Sequence, residues 1–206
     1  MKLVVISPEF DEPREHAVLA ELFAAGLERY HLRKPQWSRE KLAAWLREIP
    51  RANRPRIVLH QHHELAIEFG LGGVHFKDTS AESKSALVQW AGFTSRSCHD
   101  FATLSGLLGR YAAVFLSPVF PSISKQGYRP KMALASIAEQ LARRTEGERK
   151  TEVIALGGVT PANAASCAEL GFDGVAVLGA IWLAEQPLKV FEQLQQSITT
   201  YAAGTS

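Results

Sequence analysis

The chain has 206 residues, too short for two sizeable domains, so one domain over 1–206 is expected. At 46% hydrophobic residues it can fill one core, and a formal net charge of +2, with no basic stripe or acidic tail, argues against nucleic acid as a partner. Cys98 and Cys167 form neither a CxxC pair nor a disulfide framework, and the apolar start at 1–6 is too short for a signal peptide or a membrane span. These features point to a soluble cytoplasmic protein with no membrane partner; self-association is left open.

Strand-like and helix-like segments alternate along the chain. Residues 3–7 form an apolar run and 16–27 have helical spacing. Residues 28–33 read as a second strand, and 39–47 as a helix that Ser38 opens as N-cap. A third strand is expected over 56–61, a short helix over Glu64–Phe69, a very short strand over Gly73–Phe76 and a helix over 82–90. Strand five covers 93–97 before a helix at 101–108. Strand six covers 112–117 and leads into a long irregular segment, 118–130, and a helix at 134–144. Two apolar runs then each stop at glycine and open into a helical segment: Val153-Ile154-Ala155-Leu156-Gly157-Gly158-Val159-Thr160-Pro161 and Gly174-Val175-Ala176-Val177-Leu178-Gly179.

Eight such units imply an α/β fold with a parallel sheet closed as a single (β/α)8 TIM barrel; an open doubly wound sheet is the alternative. In such barrels the active site lies at the C-terminal ends of the strands, and a phosphate commonly sits after strands 7 and 8. Glycine turns let backbone N–H groups approach an anion closely, so Gly158, Leu178 and Gly179 are expected to hold a phosphate. Polar side chains gather at the same end: His31 and Arg33 on strand 2, His60 and Gln61 ending strand 3, His75 on strand 4, and Ser97 and His99 leaving strand 5. Ser122, Ser124 and Lys125 lie on the loop after strand 6. Arg33 suits a phosphate or carboxylate, though a salt bridge to a neighbouring acid would also explain it. Lys125, among small hydroxyls, reads as an anion contact rather than an ordinary loop lysine. His99 is the candidate general acid/base, since an unperturbed imidazole titrates near pH 6.5; the bland alternative is a helix-start residue. His75 reads more readily as a hydrogen-bonded structural histidine. His60 and His62 are two apart and could share a strand face to bind a metal, but no later carboxylate completes a ligand set, so no metal site is assigned.

The segments Tyr30-His31-Leu32-Arg33-Lys34, Leu59-His60-Gln61-His62-His63-Glu64-Leu65-Ala66, Gly73-Val74-His75-Phe76, Ser95-Arg96-Ser97-Cys98-His99, 116–125 and the two glycine-ended units together resemble the thiamine phosphate synthase and TenI superfamily over nearly the whole chain. The resemblance implies a (β/α)8 barrel and an enzyme of thiamine biosynthesis acting on a phosphorylated thiazole. Synthases of the family join hydroxymethylpyrimidine diphosphate to thiazole phosphate with Mg2+; TenI-type relatives aromatise a carboxythiazole phosphate by moving a proton and need no cofactor. By resemblance, Gly158 and the Leu178-Gly179 turn hold the thiazole phosphate, Arg33, Ser122, Ser124 and Lys125 lie at the diphosphate position, and His99 matches the TenI-type proton-transfer histidine. The chain departs from the synthase pattern where the magnesium ligands stand: the strand 3 Asn-Asp is His60-Gln61, and a second aspartate is Ser80, with Asp78 at a shifted position. The strand 2 glutamine is His31, and a lysine is Pro35. A metal-free thiazole tautomerase is therefore the leading expectation, with a synthase as the alternative. A non-catalytic protein that kept the phosphate pocket is a third reading.

Overall fold

The computed structural model describes residues 1–78, 92–121 and 130–204, with side chains as far as residue 199. Eight strands pair in parallel and in sequence order, and β1 closes on β8. They are β1 (Lys2–Ile6), β2 (Arg29–Leu32), β3 (Ile57–Leu59), β4 (Gly73–Phe76), β5 (Phe93–Cys98), β6 (Ala113–Leu116), β7 (Glu152–Leu156) and β8 (Gly174–Val177). The described helices are α1 (Glu15–Ala24), α2 (Arg39–Glu48), α3 (Glu64–Phe69), α4 (Phe101–Leu107), α5 (Leu134–Ala142), α6 (Ala164–Glu169), α7 (Gly179–Trp182) and α8 (Pro187–Gly204). The fold is a single (β/α)8 barrel. The helix expected over 82–90 lies outside the described residues. No described helix is long and apolar enough to cross a membrane.

Alternation along the strands separates two apolar layers. Val4, Ile6, Ala113, Phe115, Ile154 and Ala176 fill the barrel interior. Val5, Tyr30, Leu32, Leu59, Val74 and Val175 point outward into the layer beneath the helices. Ser38 caps α2 by accepting from the Lys41 N–H at 3.3 Å, and Asp100 caps α4 by accepting from Thr103 at 2.7 Å, satisfying N–H groups the helices cannot.

Three elements differ from the sequence expectation. α1 ends at Ala24 because Gly26, at φ +95°, turns the chain out of the helix. β3 starts at Ile57, since 51–56 wind into a 3₁₀ helix containing Pro55. The long helix α8 lies beyond the eight expected units, and its signal is present in the sequence: Pro187 opens it, and Leu188, Phe191, Leu194 and Ile198 recur three or four apart. Phe191, Leu194 and Ile198 are buried, and the helix lies against α1, α6 and α7.

Candidate active site

Three histidines occupy a place where aliphatic side chains would ordinarily fill the barrel. His31, on β2, is fully buried; His75, on β4, and His60, just past β3, are nearly so. His31 Nδ1 and His60 Nε2 are 3.0 Å apart, and the His60 and His75 rings stack with centroids 4.1 Å apart. Beneath them, Phe115 meets His31 at 4.8 Å and His75 at 5.0 Å between ring centres. His75 bonds the Ser95 hydroxyl through Nδ1 at 2.9 Å and the Ser97 hydroxyl through Nε2 at 2.8 Å. Burial opposes the charged imidazolium, so all three pKa values fall: well below the ordinary 6.5 for His31 and His60, and to about 3 for His75. His60 and His62 share no strand face, in keeping with the pair being assigned no metal site: β3 ends at Leu59, and His62 sits in the left-handed region at φ 51°.

Arg33 and Gln61 stand at the rim beside this cluster. The Ser7 hydroxyl ties the ends of β1 and β2 together, donating to the Arg33 carbonyl at 2.9 Å and accepting from its N–H at 2.8 Å. The Arg33 guanidinium forms a salt bridge with Glu9, so an incoming anion would compete with a carboxylate already in place. Gln61 Nε2 donates to the Lys34 carbonyl. In the sequence Lys34 carries no signal beyond its place in the matching segment. It is fully buried, donating to Glu15 at 2.5 Å and to the Phe10 carbonyl at 2.9 Å, while the Tyr30 hydroxyl donates to the other Glu15 oxygen at 2.8 Å. This buried group holds the loop after β1 against β2.

His99 follows β5. Its Nδ1 lies 2.8 Å from the Ser117 carbonyl, which requires the proton on that nitrogen, and its Nε2 lies 3.5 Å from the Asp78 carboxylate. The ring is 40% exposed. An imidazole held through one nitrogen and accessible at the other can take up and return a proton.

The two glycine turns close the rim. Gly157 and Gly158 have φ of +97° and +66°, and the loop after β6 bonds onto them: Val119 N–H reaches the Leu156 carbonyl and Phe120 N–H the Gly157 carbonyl, both at 3.0 Å. A side chain at Gly158 would meet the Pro121 carbonyl oxygen at 2.3 Å. Asn163 accepts from the Thr160 N–H at 2.8 Å and donates to the Gly158 carbonyl at 3.0 Å, bracing the turn from α6. On the neighbouring strand, which pairs with β7, Leu178 leaves β8 and Gly179 opens α7. Among the described residues, the Gly158 and Gly179 N–H groups meet no acceptor. Ser122, Ser124 and Lys125 lie outside the described residues, as does Ser80.

A family model described as Thiamine monophosphate synthase matches residues 3–181, from the first strand to the helix after the eighth. The chain belongs to the thiamine monophosphate synthase family. Within it, the chain is 28% identical over 176 residues to a thiamine-phosphate synthase of Laribacter hongkongensis, covering 83% of this chain and 81% of that one. A solved thiamine phosphate pyrophosphorylase from Bacteroides thetaiotaomicron superposes with a TM-score of 0.77 at 28% identity over 98% of both chains. Another from Pyrococcus furiosus, 18% identical over 97% of this chain and 96% of that one, shares the fold with a TM-score of 0.81.

Proposed function

We propose that this chain makes thiamine phosphate from hydroxymethylpyrimidine diphosphate and a thiazole phosphate. One observation carries the reading: relatives named as thiamine-phosphate synthases match it over four-fifths or more of both chains. In this reading the Gly158 and Gly179 N–H groups hold the thiazole phosphate, and Arg33 with Ser122, Ser124 and Lys125 receives the diphosphate. His31, His60, His75 and Ser97 line the floor, and Gln61 stands at its rim. The bond between the pyrimidine methylene and the diphosphate oxygen breaks, the oxygen keeping the electron pair. The thiazole nitrogen gives its lone pair to the methylene carbon, and pyrophosphate leaves. No proton need move. What the protein supplies is positioning and charge stabilisation of the departing diphosphate.

Magnesium, the cofactor implied for synthases, takes oxygen ligands in octahedral geometry. The position after β3 that should supply a carboxylate here carries His60 and Gln61, an imidazole and an amide engaged with the Lys34 carbonyl. These residues do not fit a magnesium site of that kind, and the leaving-group charge falls to the basic side chains.

A second reading, thiazole tautomerase, is favoured by the setting of His99. With Nδ1 engaged by the Ser117 carbonyl, Nε2 would remove a proton from the ring carbon and return one to the exocyclic carbon, while Arg33 or Lys125 held the carboxylate. This chemistry needs no metal and explains the replaced carboxylates. The two readings separate in a paired assay. One arm supplies the pyrimidine diphosphate and thiazole phosphate, with and without Mg2+, and looks for thiamine phosphate. The other supplies the carboxythiazole tautomer and looks for its aromatic isomer. Thiamine phosphate in the first arm is the expected result; isomer alone assigns the tautomerase, and binding without turnover in either arm assigns a phosphate-ligand receptor.

A further inference from the structure

We propose that His31, His60 and His75 bind one divalent transition-metal ion of the zinc class inside the mouth of the barrel. The three side chains come from consecutive strand ends, and one nitrogen of each lies within 4.8 Å of a nitrogen of both others. A tetrahedral zinc ion with Zn–N bonds of about 2.0–2.1 Å needs its nitrogen ligands about 3.3 Å apart. The His31–His60 pair, at 3.0 Å, is already near that spacing. Ion entry would break that one N–H···N bond and turn His60 off its stack on His75.

A second observation shows that the His31 ring is held only through the nitrogen that faces His60. His31 Nε2 is buried without any hydrogen-bond partner. Buried polar atoms in native proteins are seldom left so, and no second bond locks this ring against the small turn that ligation through Nδ1 requires. The partners of His75 also suit ligation. A metal-binding histidine usually passes its other nitrogen to an oriented outer partner. Here the buried Ser95 hydroxyl holds Nδ1, leaving Nε2 towards Ser97, which is only partly buried and can yield or turn to a fourth ligand.

The donor set decides the class of ion. Three imidazoles with no carboxylate among them suit zinc, cobalt, nickel or copper and not the hard, oxygen-seeking magnesium ion. Three neutral ligands leave the ion's double charge uncompensated. The fourth position would therefore take an anionic oxygen: hydroxide, or a phosphate or carboxylate oxygen of a bound ligand. The inference does not depend on which reaction the enzyme runs, because its readout is ion binding.

The test uses the full chain, stripped with chelator and dialysed, and titrated with Zn2+ by calorimetry and with Co2+ by visible absorption. One ion per chain is expected, with a low-coordinate cobalt spectrum that Zn2+ erases and excess Mg2+ does not. His60→Asn and His31→Gln should each weaken binding by more than about a hundredfold, and Ser95→Ala by about ten- to a hundredfold. His62→Asn, outside the cluster, should leave it unchanged. His60 lies at the open end, so His60→Asn keeps the test valid if circular dichroism shows that His31→Gln has lost its fold. No bound ion in the unaltered chain overturns the proposal. So does binding that persists in a folded His60→Asn, because surface imidazoles then hold the ion.

Discussion

His99 is held at Nδ1 by Ser117, whose hydroxyl oxygen also lies 3.2 Å away, and its side chain is partly exposed. The Ser117 carbonyl 2.8 Å from Nδ1 sets the tautomer, while Nε2 faces Asp78 at 3.5 Å. Positioned proton transfer of this kind is worth about a hundred- to ten-thousandfold in rate. If proton transfer is the chemistry, His99→Ala should lower kcat for thiazole isomerisation by that factor with little change in KM. In thiamine phosphate synthesis, where no proton need move, the same variant should lose far less. Steady-state kinetics on both substrate sets decides between them. His99 was legible in the sequence because it follows a strand whose polar residues repeat at every second position, and a run of that kind has no place in an aliphatic core. Lys34 and Glu15 were not legible. A lysine just past a strand reads as solvated, and its acid lies nineteen positions away on α1. Only the folded chain shows that they neutralise each other out of water, where removing one partner would leave an uncompensated buried charge.

Among the elements, the β7–α6 turn most constrains the candidate phosphate site. Its two glycines hold positive φ while the chain after β6 lies directly upon them. Gly158→Ala would combine a left-handed conformation, which costs an L-residue about 1–2 kcal/mol, with a contact to the Pro121 carbonyl that backbone movement must relieve. Urea unfolding should show a loss of at least about 1–2 kcal/mol, and affinity for thiazole phosphate should fall more steeply than stability, because the displaced N–H is the proposed phosphate donor. Stability lost with affinity retained would remove Gly158 from the site. This element was the most readable part of the sequence: an apolar β run followed by paired glycines has few other meanings. β3 is shorter than the expected 56–61: Arg56, His60 and Gln61 carry no signal separating a strand from the segments flanking it. The apolar spacing of α8 is regular, but a count of eight βα units is already complete without it.

At the scale of the whole molecule, closure sets what the barrel can hold inside. Lys2 pairs in register with Gly174 and Val5 with Val177, and Lys2, Arg29 and Glu152 link β1, β2 and β7 by ion pairs at the N-terminal end. The opposite end spends interior volume on imidazoles, and this couples the fold to pH. In the metal-free protein His31, His60 and His75 are buried in the neutral form, with Arg29, Arg33, Arg96 and His63 nearby further opposing a proton. In the unfolded chain each binds a proton below about pH 6.5. A histidine whose folded pKa is depressed leaves stability undiminished above 6.5, and the loss begins as pH falls below it. For His75 the loss continues to about pH 3, where the folded state can also take the proton. Each such histidine contributes about 1.4 kcal/mol per pH unit within its window. Urea unfolding with chelator present should therefore show stability falling steeply from pH 6.5 to 5, before most carboxylates titrate. His60→Asn should flatten that slope by about one proton's worth, because one group that must remain neutral on folding has been removed. An unchanged slope would mean that the folded barrel accepts a proton on His60, and that charge inside this mouth is solvated rather than excluded.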